Sequence, residues 1–133
     1  MLKTAIIVDI HTEKDIVAAR KQVKQLAQTL HFSSINQVRI STAVSELARN
    51  IYLYAGKGTI SFETYLDENK IGIKLTATDQ GPGIQSVRKV LEDGYSTSGG
   101  LGMGLPGVKR LMDEFVIDSG LGIGTTIIAV KWV

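Results

Sequence analysis

Two periods divide this chain. In residues 4–10, Ile6, Val8 and Ile10 share one face and Ala5, Ile7 and Asp9 the other, which predicts a strand covered on at least one side. Over 13–30 the period lengthens. Ile16, Ala19, Val23, Leu26, Ala27 and Leu30 recur every three or four residues, with Lys14, Lys21, Gln25 and Gln28 opposite. Thr12 and Asp15 have capping-box spacing at its start, and Ser34 with Gln37 repeats it before the next helix. That second helix, predicted over 35–55, carries the apolar stripe Ile40, Val44, Leu47, Ala48, Ile51 and Ala55. Thr42, Glu46, Arg49 and Asn50 fall on the other side of its wheel. Gly56-Lys57-Gly58 stops it.

Alternation then returns. Ile60, Phe62 and Leu66 form one face of a strand, and Ile71, Ile73, Leu75 and Ala77 one face of its partner, across the turn Asp67-Glu68-Asn69-Lys70. A short helix is expected over 86–92, then a mobile glycine-rich loop over 94–104. A helix over 105–112 tolerates Pro106 in its first turn. Strands are expected at 115–117 and 125–132, joined by Ser119-Gly120-Leu121-Gly122-Ile123-Gly124. The order predicts an α/β (α+β) two-layer sandwich, a mixed β-sheet with helices on one face. With no repeat or boundary visible, residues 1–133 read as a single domain.

Composition removes several kinds of chemistry. There are no cysteines, which excludes thiolate nucleophiles, disulfides and zinc–cysteine sites. A net charge of +2 gives no argument for nucleic acid or an anionic membrane as partner. The apolar start is too short for a signal peptide or a spanning helix, so a cytoplasmic protein is the default expectation. His11 and His31 sit at helix boundaries and read as surface residues, and Tyr52 and Tyr54 as packing residues.

Three stretches carry candidate chemistry. Glu46 and Asn50 are one helical turn apart and can act on one ligand. Asn50 offers the hard oxygen that Mg2+ accepts alongside phosphates and water. Glu46 offers a carboxylate to orient or deprotonate an attacking hydroxyl. Alone, the pair reads as a solvated helix face, since polar outer faces are the norm. Asp79 ends a strand before Gly81-Pro82-Gly83 and can accept a hydrogen bond from an adenine amino group; alone, it is an ordinary turn. The glycines up to Gly104, with a helix starting beside them, can close backbone N–H groups around phosphate. Gly102-Met103-Gly104-Leu105-Pro106-Gly107 matches G-x-G-x-x-G but follows a long loop late in the chain, so it is rejected as a dinucleotide fingerprint. No P-loop is present.

As an ordered set these stretches resemble one family. Glu46-Leu47-Ala48-Arg49-Asn50 is similar to the N box of the GHKL ATPase/kinase superfamily, which includes gyrase, histidine kinases and MutL. Asp79-Gln80-Gly81-Pro82-Gly83 resembles its G1 box, Gly100-Leu101-Gly102-Met103-Gly104-Leu105 its G2 box, and Gly122-Ile123-Gly124-Thr125 its last glycine–threonine motif. The resemblance implies a Bergerat ATP-binding fold with a flexible lid. Small size and the lack of a phosphoacceptor helix pair point to the anti-sigma-factor serine/threonine kinase branch. The stretches Ser45 to Gly58, Ser96 to Gly102 and Gly104 to Phe115 are similar to its stressosome switch kinases.

That resemblance implies the roles. Asn50 is the Mg2+ ligand and Glu46 the base. Asp79 is the adenine acceptor, supported through water by Thr125, with Gly81 and Gly83 shaping the pocket. Thr97, Ser98, Gly99, Gly100, Leu101, Gly102, Met103, Gly104 and Leu105 make or border the phosphate lid. ATP and Mg2+ are the implied cofactors. The implied partners are STAS-domain protein substrates and, after release, a PP2C-type phosphatase. The alternatives are an anti-sigma factor that sequesters a sigma subunit and phosphorylates its antagonist, and a non-catalytic adaptor set by nucleotide. Monomer and dimer both remain open.

Overall fold

The computed structural model describes residues 5–81, 104–120 and 122–133. The period-two stretches form five strands and the longer-period stretches three helices. In chain order these are β1 (Ala5–Ile10), α1 (Glu13–Thr29), α2 (Ser34–Tyr54), β2 (Gly58–Asp67), β3 (Lys70–Asp79), α3 (Gly104–Leu111), β4 (Glu114–Gly120) and β5 (Gly124–Trp132). The expected helix over 86–92 and most of the glycine-rich stretch lie outside the described residues.

Both helix starts are held by side chains. At α1, the Asp15 carboxylate accepts the Thr12 and His11 backbone N–H groups, each at 2.9 Å. Those bonds, Thr12's foremost, hold the Asp15 carboxyl below the usual carboxylate range. At α2 the cap differs from the expected one. Ser33, in an extended conformation, accepts the Asn36 N–H at 3.2 Å, so Ser34 is already helical. Gln37 donates to the Phe32 carbonyl at 2.9 Å rather than closing a box with Ser34.

The sheet runs β1-β2-β3-β5-β4. Every neighbouring pair is antiparallel, so the expected mixed sheet is corrected. The topology gives the reason. Two helices, not one, separate β1 from β2, and they return the chain to the end it left. The crossover through α3 does make β4 run the same way as β3, but β5 lies between them.

Register stacks the helix-facing residues into rows across five strands. Ile6, Phe62, Leu75, Ala129 and Phe115 form one, and Val8, Ile60, Ala77, Ile127 and Ile117 the next. Against these rows pack Ile16, Ala19, Val23 and Ala27 of α1, Ile40, Val44, Leu47 and Ile51 of α2, and Leu105 and Val108 of α3. At the hairpin tip Leu66 and Ile71 face each other and are 39% and 47% exposed, so the half-buried pattern expected there stops short of the turn. No helix among the described residues is long and apolar enough to cross a membrane.

Candidate active site

The row after the apolar ones changes character. It reads Ile10, Gly58, Asp79, Thr125 and Ser119 across the five strands, still on the helix side. Asp79 and Thr125 are buried, at 9% and 6% exposure. The sheet thus ends in a polar floor at one edge of its own core. Ser119 completes that floor, although its sequence places it in a connecting loop. β4 runs on to Gly120, and Ser119 lies two residues beyond Ile117 on the same face. That spacing was the available signal.

The floor is wired by short bonds. Asp79 Oδ1 accepts the Gly81 N–H at 2.9 Å, a turn closed by the side chain itself. Ser119 Oγ donates to the Gly124 carbonyl at 3.0 Å and lies 2.7 Å from Thr125 Oγ1. A cavity of about 130 Å³ opens at this end, lined in part by Asp79, Ser119, Gly124 and Thr125.

Two glycines permit the approach of backbone to floor. A Cβ on Gly81 would lie 2.7 Å from the Ala55 Cβ, so the Asp79 turn presses directly on the end of α2. Gly124 has φ +96°, where L side chains are strained, and a Cβ there would run into the Asp79 carbonyl oxygen. These contacts bring the ends of α2, β3 and β5 together.

Helix α2, whose end meets the Asp79 turn at Ala55, carries the other candidates. It is buried over more than the expected stripe, because α1, α3 and the sheet all pack against it. Glu46 is therefore not on a solvated face: it is 5% exposed. Arg49 Nη1 donates to Glu46 Oε1 at 3.1 Å, and the Arg49 side chain is 34% exposed. Asn50 is half-buried one turn beyond Glu46. Leu105 is buried in the first turn of α3, which starts at Gly104. Gly83, Thr97, Ser98, Gly99, Gly100, Leu101, Gly102 and Met103 lie outside the described residues. His11, His31, Lys109 and Arg110 are exposed; Tyr52 packs half-buried on the core, whereas Tyr54 is 42% exposed.

Among the described residues no three His, Asp or Glu side chains gather as a metal cage. A buried carboxylate stands at a glycine turn with a hydroxyl beside it, and the helix whose end meets that turn bears a carboxylate and an amide. The family model for the histidine kinase-like ATPase domain matches residues 11–131. The chain belongs to that family. Within it the chain falls with the serine/threonine-protein kinases. It is 62% identical over 125 residues to serine/threonine-protein kinase RsbT of Bacillus subtilis, covering 94% of each chain. It is 34% identical over 100 residues to an anti-sigma F factor of Caldanaerobacter subterraneus subsp. tengcongensis, covering 71% of this chain and 68% of that protein.

Solved structures show the same fold at low identity. The RsbU and RsbW domains of a Mycobacterium tuberculosis protein superpose with a TM-score of 0.67 at 19% identity, over 98% of this chain and 32% of that one. The mycobacterial sensor histidine kinase MprB gives 0.57 at 20% identity, over 97% of both. The expected GHKL-type fold therefore holds, and an ATPase-type domain of this kind implies ATP binding.

Proposed function

We propose that residues 1–133 form one cytoplasmic kinase domain that transfers the γ-phosphoryl group of Mg·ATP to a serine or threonine of STAS-domain proteins in a stressosome. Once released from them, it binds and activates a PP2C-type phosphatase. The observation that carries this reading is the 62% identity to a serine/threonine-protein kinase over 94% of both chains. The geometry supports it. The candidate acceptor, base and metal ligand stand on elements whose ends touch. The anti-sigma relative at 34% identity favours a second reading, sequestration of a sigma subunit, less strongly.

The residues present fit the implied nucleotide. The Gly81 cradle leaves no room for a side chain, and the buried Asp79 carboxylate suits the amino edge of adenine. Mg2+ keeps several waters and needs only one or two protein oxygens, so Asn50 suffices where the described residues form no protein cage. Bound ATP supplies the phosphoryl group and Mg2+ neutralises its charge. In this reading Asn50 holds the metal, Glu46 accepts the proton of the substrate hydroxyl, and Asp79 with Thr125 orients the base. Gly81, Gly83 and the stretch from Thr97 to Leu105 enclose base and phosphates. Transfer of this kind depends on positioning and charge stabilisation, so a modest base is enough.

The test is incubation with Mg·ATP and STAS-domain proteins of the same cell, followed by intact mass. One added phosphate, absent with Asn50→Ala, is expected. No transfer, with nucleotide still bound, would overturn the kinase reading and favour the anti-sigma or adaptor one.

A further inference from the structure

The polar floor has a hydrogen-bond polarity that proton counting decides. A serine hydroxyl has one proton. Ser119 donates to the Gly124 carbonyl at 3.0 Å, and a carbonyl can only accept. The 2.7 Å contact between Ser119 and Thr125 therefore needs its proton from Thr125. That spends the one hydroxyl proton of Thr125, and toward the cavity Thr125 keeps only lone pairs. Beside it in register stands Asp79, whose carboxylate is an acceptor through both oxygens, one already holding Gly81 N–H. Two neighbouring buried groups thus present acceptors and no side-chain proton.

We propose that Ser119 is a specificity-determining residue. By fixing Thr125 as an acceptor, it makes the floor favour a purine that offers N–H at position 6 and disfavour one that offers a carbonyl there. This rests on the adenine-nucleotide reading above. A 6-amino purine donates to this floor, directly or through a water that passes the donation on. A 6-oxo purine sets its oxygen against acceptors, and a buried acceptor facing an acceptor at position 6 loses its hydrogen bond. Asp79 alone would discriminate in part. Ser119 keeps the Thr125 hydroxyl from rotating to rescue the wrong base.

The experiment measures ADP and inosine diphosphate binding by calorimetry to the wild-type chain, Ser119→Ala and Ser119→Thr. Wild type is expected to prefer ADP. In Ser119→Ala the Thr125 hydroxyl regains its proton for the ligand, and the ADP preference should fall by about five- to tenfold, the worth of one ordinary hydrogen bond. The fall should come mainly from tighter inosine diphosphate binding, a direction that general damage to the site does not produce. Ser119→Thr keeps the hydroxyl and should keep the preference. A preference unchanged within about twofold in Ser119→Ala would overturn the role of Ser119 while leaving the nucleotide site standing. If wild type bound neither nucleotide, or both equally, the adenine reading itself would fall and this inference with it.

Discussion

Replacing Arg49 by alanine tests whether the Glu46 carboxylate is a buried charge that depends on one partner. The two limits are far apart. An exposed ion pair one turn apart on a helix contributes about 0.3–0.5 kcal/mol. Removing one partner of a fully buried pair costs about 3–5 kcal/mol, because the remaining charge is stranded. Here the Glu46 side chain is 4% exposed and that of Arg49 34%, and the two meet at 3.1 Å. Glu46 sits near the buried limit, but water reaches the guanidinium and screens part of the interaction. An intermediate loss of about 1.5–3 kcal/mol follows. Urea unfolding measures it, provided the slope is unchanged between variants. A double-mutant cycle with Glu46→Gln isolates the pair: once the carboxylate is gone, Arg49→Ala should cost less than about 0.5 kcal/mol. A coupling energy below about 0.5 kcal/mol would place Glu46 among ordinary surface charges and refute the burial argument.

Gly124→Ala should lower stability by about 2 kcal/mol or more and weaken ADP binding. The residue is at φ +96° and its new methyl meets the Asp79 carbonyl; a thermal melt and a titration read both effects. Asp79→Asn should weaken ADP binding about tenfold or more, since a charged acceptor is lost; unchanged affinity in calorimetry would remove Asp79 from the base pocket. Asp15 has a depressed folded-state pKa, so its contribution is full above the ordinary value of 3.8 and is lost as pH falls through the lower folded value. Acid melts of Asp15→Asn should accordingly show a shallower loss of stability below about pH 4 than wild type.

How much of this was legible depends on the range of the signal. Local periods placed all eight described elements. Asp15 closes back on Thr12 because that bond spans only three residues. The Ser33 cap was misplaced by one residue because Ser33 and Ser34 carry the same chemistry and only backbone conformation separates them. The sheet's direction depended on where β5 inserts, a choice made between segments far apart in sequence. At the site, Glu46, Asn50 and Asp79 were found because motif spacing marks them. That Glu46 is buried was not visible. Its helical wheel shows one apolar stripe, whereas α1 and α3 bury flanks that the wheel leaves open.

Ser119 shows why site and fold are one problem in this chain. A floor at the edge of the core must be polar enough to hold a ligand and dry enough for each hydrogen bond to count. The sheet meets both demands by register alone. Its two full rows of apolar side chains fill the space under the helices, and the next row along the same face substitutes glycine, aspartate, threonine and serine without changing strand geometry. Dryness then constrains the polar row. Each hydroxyl proton placed there must be assigned, and among the described residues no fully buried side-chain polar atom lacks a partner. The Gly124 carbonyl accepts a hydrogen bond from Ser119, and in the polarity proposed above Ser119 accepts one from Thr125. Gly124 is itself confined by its positive φ and by the Asp79 carbonyl. The backbone turn between β4 and β5 therefore sets which way the Thr125 hydroxyl points. A selectivity of this kind is carried by a strand end and a turn, and it is lost if either shifts.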